Sequence, residues 1–267
     1  MQDRPSFDDL IKLFDKYGGT PEVYLSQHYQ RFITTLDEFC SSWADRHRNR
    51  VLDIGAHWLH QSIIWRHAGF ELTAVDLPGT FEEQNVIDIA ADFGVRLLKC
   101  PNLELARELE ALPDDSVDVI LFTEIIEHIT FNPVALWRQL YRVLAPGGRI
   151  VVTTPNYYSA KGRAWRPLRF MTGMGGGISV DEVLAVHTYG HHWREYSRRE
   201  MLRYFKLLSP DFLVVKARAM PTYALSAVWW KRMLQRVLDR IPLLRPNLHV
   251  EIALPVKDQG IVARPHW

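Results

Sequence analysis

Residues 51–57 read Val-Leu-Asp-Ile-Gly-Ala-His, and the rest of the fold follows from this stretch outward. An apolar run ends in a turn around Gly55, and a stretch with helical periodicity follows at residues 61–68. A buried strand that turns through a small residue directly into a helix is typical of a doubly wound α/β sheet. Free backbone amides at the start of such a helix can meet a ligand, because no side chain intervenes. Residues 51–57 therefore predict a ligand-binding turn at the end of the first strand.

Apolar runs and helical stretches continue to alternate along the chain, which is typical of strand-helix-strand units around a parallel sheet. We predict seven strands, at residues 51–54, 71–75, 95–98, 117–123, 149–154, 212–216 and 249–256. We predict helices between and around them, at residues 61–68, 83–93, 103–109, 133–144, 198–208 and 224–240. The predicted fold class is α/β, a Rossmann-like, doubly wound and mostly parallel seven-stranded sheet.

One domain is predicted for residues 1–267. Two helices in residues 1–49 form an N-terminal cap that covers or lines the active site, and residues 50–155 form the ligand-binding core. The regular alternation breaks at residues 156–196, which contain many aromatic side chains and five glycines from Gly162 to Gly177, so we interpret them as a lid or acceptor-binding insertion. Residues 197–267 complete the sheet.

Composition excludes several classes of protein. The chain has 32 basic and 31 acidic residues, a formal net charge of +1, which does not favour a nucleic-acid partner. Its two cysteines are far apart and belong to no paired motif. Residues 1–10 contain no secretory signal, and no apolar stretch is long enough to cross a bilayer. We therefore predict a cytoplasmic protein.

The segment 229–240 leaves two interpretations open. It is amphipathic, begins with two tryptophans and carries an excess of positive charge. Packing of its apolar stripe against the sheet is the favoured interpretation. The alternative is peripheral contact with an anionic membrane surface, which would make the protein membrane-associated.

Residues 118–128, which read Asp-Val-Ile-Leu-Phe-Thr-Glu-Ile-Ile-Glu-His, resemble the fourth strand and following turn of class I S-adenosylmethionine-dependent methyltransferases. Residues 144–152, Leu-Ala-Pro-Gly-Gly-Arg-Ile-Val-Val, resemble the turn and fifth strand of that family. Residues 113–118 resemble its approach to the fourth strand. Together with residues 51–57, the resemblance covers residues 50–155. It implies a methyltransferase that uses S-adenosylmethionine as its cofactor.

The resemblance also implies which residues bind that cofactor. They are Asp53, Gly55, Ala56, His57, Asp76, Leu77, Leu103, Thr123 and Glu124. Asp53 would reach the amino group of the methionine end, and Asp76, at the tip of the second strand, would hold the ribose. Thr123 and Glu124 would face the methionine moiety. Leu103 follows the third strand, where the family contacts adenine, although the common acidic dipeptide is absent here.

The chain departs from the family in the glycine-rich turn, where His57 and Leu59 occupy positions that usually hold glycine. Only glycine freely adopts a positive φ, so bulk at these positions narrows the pocket unless the loop takes a different path. A cofactor-binding protein without catalysis therefore remains an alternative. The same departure argues more strongly against a dehydrogenase that binds a nicotinamide dinucleotide. In such enzymes the glycines of this turn let the backbone approach a pyrophosphate, which S-adenosylmethionine lacks.

Residues 192–197, His-Trp-Arg-Glu-Tyr-Ser, resemble a junction in methyltransferases of bacterial polysaccharide and glycan pathways. This resemblance implies O-methylation of a sugar or glycan hydroxyl, and methylation of a small metabolite such as a quinone or polyketide is the alternative. His192 or His191 is the predicted general base, and Arg194 is predicted to orient the acceptor or the lid. An equally open interpretation is that these histidines only bind a loop to the core.

The remaining predicted substrate-binding residues are Tyr157, Arg163 and Arg166, and the basic ones would suit an anionic acceptor such as an acidic sugar or a phosphorylated carrier. No metal is predicted, because the carboxylates near the histidine pair lack an obvious ligand spacing. Glu127 and His128 match an acid-histidine pair that recurs in the family and is structural in many members.

Overall fold

The computed structural model describes residues 4–43, 45, 47–162, 180–185 and 190–266. Its strands are β1 (Arg50–Ile54), β2 (Glu71–Asp76), β3 (Arg96–Lys99), β4 (Val117–Thr123), β5 (Leu144–Pro155), β6 (Leu213–Met220) and β7 (Asn247–Leu254). Its helices are α1 (Phe7–Asp15), α2 (Glu22–Cys40), α3 (His60–His67), α4 (Pro78–Phe81), α5 (Gln84–Phe93), α6 (Val134–Val143), α7 (Val180–Ala185), α8 (Arg198–Leu208) and α9 (Trp229–Leu238). Short 3₁₀ turns lie at Arg107–Ala111, Ile126–His128 and Pro242–Leu244.

The seven strands form one sheet in the order β3-β2-β1-β4-β5-β7-β6. The pairs from β3 to β5 are parallel, whereas β7 runs antiparallel to both of its neighbours. The strand order reverses between β1 and β4, and ligands of open α/β sheets bind in the crevice at such a switch point. The predicted Rossmann-like, mostly parallel seven-stranded fold is confirmed.

Both faces of the inner strands are buried, which explains why residues 119–122 of β4 are apolar at every position. Ile120 and Phe122 point into one core together with Trp137 of α6. Val119 and Leu121 point into the other core, where α2 and α3 cover the sheet. The helices on each side therefore hold the tips of β1 and β4 in place.

The predicted crossover helix at residues 103–109 is wrong. This region contains only the 3₁₀ turn Arg107–Ala111. The side-chain oxygen of Asn102 accepts hydrogen bonds from the backbone N–H groups of Glu104 and Leu105. Such an Asx turn competes with the backbone hydrogen bonds that a helix would need here.

The favoured packing of the last predicted helix against the sheet is also wrong. α9 begins at Trp229, later than predicted, and none of its residues is buried against the part of the chain that the structure describes. Trp229 is 74% exposed. The space on the sheet is taken by α8, which packs against β6 and β7. No helix within the described ranges combines the length and apolar character needed to cross a bilayer.

Candidate active site

A cavity of ≈ 670 Å³ opens at the carboxyl ends of β1, β2 and β4. Its lining includes every residue that the sequence predicts for cofactor binding, namely Asp53, Gly55, Ala56, His57, Asp76, Leu77, Leu103, Thr123 and Glu124. Their roles stay predictions, but the structure brings all of them to one cavity. The cavity lies at the switch point of the sheet, where the fold leaves a crevice.

The carboxylate of Asp76 is held by two backbone amides at the tip of β2. One oxygen accepts from the N–H of His57 at 2.6 Å, and the other accepts from the N–H of Leu77 at 2.6 Å. Each carboxylate oxygen can accept a second hydrogen bond. Asp76 is therefore oriented to receive hydroxyl donors from a ligand while it also fixes the turn after β1.

Asp53 is 1% exposed and lies at the end of β1. Its oxygens accept from the side chains of α3, from Ser62 Oγ at 2.7 Å and from Gln61 Nε2 at 3.3 Å. Burial raises the pKa of Asp53 to about 7, and the charge of Asp76 acts in the same direction, while the Ser62 and Gln61 hydrogen bonds act against it. This carboxyl group therefore changes charge near neutral pH.

The turn after β1 keeps the backbone course of a glycine-rich loop although it contains bulky residues. Gly55 has φ +76°, and a Cβ there would overlap the side chain of Ile125. His57 and Leu59 also have positive φ, at 50° and 65°. Such a conformation costs about 1–3 kcal/mol for a residue with a side chain.

The bulk of these two side chains leaves the cavity open. The side chain of Leu59 is fully buried in the core beside α3. The ring of His57 stacks on Tyr24 with centroids 5.2 Å apart and an angle of 13° between the planes. Of the two bulky residues, only His57 lines the cavity. The narrowing of the cavity that we expected from the missing glycines is therefore limited to the place where the His57 side chain lies.

Four residues of α2 line the cavity and escaped the sequence analysis, although a role for the N-terminal helices was expected. They are Tyr24, His28, Arg31 and Phe32. Their spacing of four, seven and eight positions from the first places them on one helical face, and this was the signal available in the sequence. Burial, together with the nearby Arg31 charge, lowers the pKa of His28 to about 4. Arg31 is 6% exposed, its Nη1 lies 3.5 Å from Glu124 Oε2, and its Nε has no hydrogen-bond partner among the described residues.

Glu124 follows β4 directly and has an unusual backbone conformation for a residue with a side chain. Its φ is +54°, and its N–H donates to the carbonyl of Thr153 at 2.8 Å. Backbone strain of this kind collects at functional sites, where the surrounding structure holds it in place. The strained turn directs Glu124 into the lining of the cavity.

The two candidate general bases are separated by the structure. His191 is 2% exposed and is not part of the cavity lining, whereas His192 lines the cavity. His128 also lines the cavity, with its ring centroid 4.8 Å from that of His192. The loop is fixed over β4 because the carbonyl of Glu127 accepts from the N–H of Trp193 at 2.7 Å. Of the two predicted bases, only His192 can meet a ligand here.

The two predicted substrate-binding residues that the structure describes, Tyr157 and Arg194, do not line the cavity. Arg194 lies outside its lining, pairs with Glu200 at 2.9 Å and contacts the ring of Tyr196. Tyr157 also lies outside the lining, and its N–H donates to the carbonyl of Tyr196 at 3.0 Å. These contacts bind the two residues to Tyr196 and to the first turn of α8. Arg163 and Arg166 lie outside the described residues.

Comparison with known proteins identifies the family. The sequence model of a methyltransferase domain family matches residues 24–211, which is most of the chain. No curated protein matches the sequence significantly. Three solved structures are similar to this chain at low sequence identity, so they bear on the fold alone.

A S-adenosylmethionine-dependent methyltransferase from Mesorhizobium loti has TM-score 0.58 and 15% identity, and the match covers 85% of this chain and 97% of that one. A putative methyltransferase of Haloferax volcanii in complex with the Trm112 activator has TM-score 0.57 and 13% identity, with coverage of 95% and 100%. The 1,6-didemethyltoxoflavin-N1-methyltransferase of Burkholderia thailandensis, with bound substrate and S-adenosylhomocysteine, has TM-score 0.54 and 15% identity, with coverage of 94% and 87%. The chain belongs to the methyltransferase domain family, and its fold is that of class I S-adenosylmethionine-dependent methyltransferases.

Proposed function

We propose that this methyltransferase binds S-adenosylmethionine in the cavity at the tips of β1, β2 and β4 and methylates a hydroxyl group of a sugar or glycan. The observation that carries the acceptor half of the proposal is the histidine pair His128 and His192, which lines the cavity next to Glu124. Polar, proton-accepting side chains at this place suit an acceptor that must lose a proton as it is methylated.

The residues of the cavity suit each polar group of S-adenosylmethionine, the methyl donor. Ribose hydroxyls need an acceptor, and Asp76 has a carboxylate with free acceptor capacity. The methionine carboxylate needs a cation, and Arg31 carries a buried Nε without a hydrogen-bond partner among the described residues. The methionine ammonium needs an anion, which Asp53 supplies when ionised. S-adenosylmethionine supplies an activated methyl group when it is bound.

The chain's own residues then have to orient the acceptor and handle its proton. His192, rather than His191, is the residue that activates the hydroxyl, because only His192 lines the cavity. The insertion at residues 156–196 is proposed to close over the acceptor as part of a single domain. Arg163 and Arg166 of that insertion would favour an acidic sugar or a phosphorylated carrier.

The acceptor class can be tested with a panel of neutral sugars, acidic sugars, nucleotide sugars, phenols and hydroxyquinones. We expect methylation of sugar hydroxyls, detected by mass spectrometry as the gain of one methyl group. His192→Asn should lower kcat by roughly 100-fold or more, because a positioned base contributes about that much. His67→Asn, an exposed histidine on α3 away from the cavity, is the matched control. Methylation of phenols or quinones alone would contradict the proposal.

We further propose that α9 lies on an anionic membrane surface. Trp229, Trp230, Met233, Leu234 and Val237 recur at helical spacing and are all exposed. The basic side chains Lys231, Arg236 and Arg240 are exposed along and just beyond the same helix. An amphipathic helix with tryptophans on its apolar face and cations beside it suits the boundary between headgroups and acyl chains.

Vesicle sedimentation tests this proposal. The protein should sediment with vesicles that contain phosphatidylglycerol and much less with pure phosphatidylcholine, and Trp229→Ser with Trp230→Ser should weaken the partitioning at least about tenfold. Leu207→Ser is the matched control, since Leu207 is an equally exposed apolar residue on α8. Failure to bind anionic vesicles would contradict the proposal. Light scattering that gives two chains for the wild type and one for the double variant would mean that a second copy covers α9.

A further inference from the structure

Three side chains of metal-ligating type meet beside the cavity: Glu127, His128 and His192. One ligand atom from each lies within 4.8 Å of those of the other two. Glu127 and His128 lie in the 3₁₀ turn after β4, and His192 lies in the loop that crosses this turn. The loop is fastened there by backbone hydrogen bonds from Trp193 and Arg194 to the carbonyl of Glu127, at 2.7 and 3.3 Å. The juxtaposition therefore depends on the backbone rather than on flexible side chains.

The carboxylate of Glu127 is an unusual group to find at this depth. Glu127 is 0% exposed, and its Oε2 accepts from the hydroxyl of Thr154 at 3.0 Å. Its Oε1 is buried and has no hydrogen-bond partner among the described residues. A buried carboxylate oxygen without a partner is unfavourable, and coordination to a cation is one of the few ways to satisfy it.

The ring of His128 is oriented as that of a metal ligand is. Nδ1 of His128 lies 2.9 Å from the carbonyl oxygen of His191. Because a carbonyl can only accept, Nδ1 carries the proton, and Nε2 keeps a free lone pair. Metal-binding histidines commonly donate one ring N–H to a carbonyl in this way, which fixes both the tautomer and the ring orientation. The rings of His128 and His192 both line the cavity.

We propose that Glu127, His128 and His192 bind a divalent transition-metal cation, such as Mn²⁺ or Zn²⁺, which in turn binds a hydroxyl oxygen of the acceptor. Two imidazole nitrogens and one carboxylate oxygen suit these ions and leave coordination positions open toward the cavity. A bound cation lowers the pKa of a coordinated hydroxyl group. His192 then acts on the acceptor hydroxyl through the metal, as a ligand, and does not remove the proton itself as proposed above. The metal site stands on its own, whereas its use in catalysis rests on the proposed hydroxyl acceptor.

The site can be tested without any acceptor. The full-length protein is treated with a chelator, dialysed and titrated with Mn²⁺, and free Mn²⁺ is followed by electron paramagnetic resonance. We expect one ion per chain, displaced by Zn²⁺. Glu127→Gln and His192→Asn should each weaken Mn²⁺ binding by about 100-fold or more. Loss of a residue that only hydrogen-bonds to a metal ligand already weakens metal binding about 10–100-fold, and these two variants each lose a ligand. His67→Asn should bind Mn²⁺ as the wild type does.

Binding of S-adenosylhomocysteine, measured in the same samples, separates this inference from the proposed function. We expect chelated protein and both variants to bind it unchanged, and methylation of the sugar acceptor to disappear with chelator and return with Mn²⁺. If the wild type binds no Mn²⁺, or if the variants bind Mn²⁺ as the wild type does, the metal site is refuted and the proposed function stands. If the chelated protein methylates sugars at the full rate, the use of the metal in catalysis is refuted. If Mn²⁺ binds as expected but no sugar is methylated, the metal site stands and the proposed acceptor is wrong.

Discussion

Replacing Asp76 by Asn should lower the affinity for S-adenosylhomocysteine by about 100-fold, or roughly 3 kcal/mol. The carboxylate has two tasks, since it is positioned for the ribose hydroxyls and it accepts the N–H groups of His57 and Leu77. Charge-assisted hydrogen bonds of this kind each contribute about 1.5–3 kcal/mol. In the Asn variant, the side-chain NH₂ group would face the backbone N–H of either His57 or Leu77. Two donors cannot form a hydrogen bond with each other, so one of the two hydrogen bonds is lost and the turn after β1 loosens. Isothermal titration calorimetry measures the change directly.

A matched control for this variant is Asp88→Asn, which removes the same charge from an exposed position on α5. The control should bind S-adenosylhomocysteine within about threefold of the wild type. Thermal unfolding of both variants shows how much of the loss comes from a destabilised turn. If Asp76→Asn also bound within about threefold, Asp76 would not be the residue that holds the ribose.

The core of the fold was predictable because its signals are local. Residues 119–122 are apolar at every position, and a strand buried on both faces needs no particular periodicity, so β4 was placed correctly. The lining residues at the tips of β1, β2 and β4 follow from the strand order, because carboxyl ends of neighbouring parallel strands meet at one edge. In contrast, the missing helix at residues 103–109 depended on one side chain, Asn102, which competes with helical hydrogen bonds.

The acceptor side of the site depends on contacts between distant parts of the chain. Whether His191 or His192 faces the cavity is decided by the hydrogen bond from Trp193 to the carbonyl of Glu127, and no local pattern reveals it. The same contact brings His192 beside His128, so ligand spacing along the sequence could not indicate the cluster. For α9, helical periodicity indicated an apolar face but could not tell whether another element covers it.

The second large effect concerns the protonation of Asp53. An aspartate in the unfolded chain has a pKa near 3.9, whereas burial raises the pKa of folded Asp53 to about 7. Between these values the folded state holds a proton that the unfolded state has lost, so Asp53 makes the free energy of unfolding fall as pH rises from about 4 to about 7. Above that range its effect is constant. The difference between the two pKa values corresponds to roughly 4 kcal/mol.

Asp53→Asn should remove this penalty, because Asn stays neutral and can still accept from Ser62 or Gln61. We therefore expect the variant to gain up to roughly 4 kcal/mol of stability relative to the wild type between about pH 4 and pH 8, measured by urea unfolding. The stability of the variant must be compared with that of the wild type at each pH. Burial also raises the pKa of Glu127, and this carboxyl group makes the stability of both proteins depend on pH in the same way. A stability difference that is the same at both pH values would contradict a raised pKa for Asp53.

Donor binding adds an independent test of the same group. The ammonium of S-adenosylhomocysteine stabilises the ionised form of Asp53, so binding at about pH 6 should release part of a proton from the wild type. Calorimetry in buffers with different ionisation enthalpies measures this release, and we expect it to vanish in Asp53→Asn. Because Asp76 and Arg31 also act on Asp53, Asp76→Asn should lower the pKa and reduce the release without abolishing it. Equal proton release by wild type and Asp53→Asn would mean that the ammonium is bound elsewhere in the cavity.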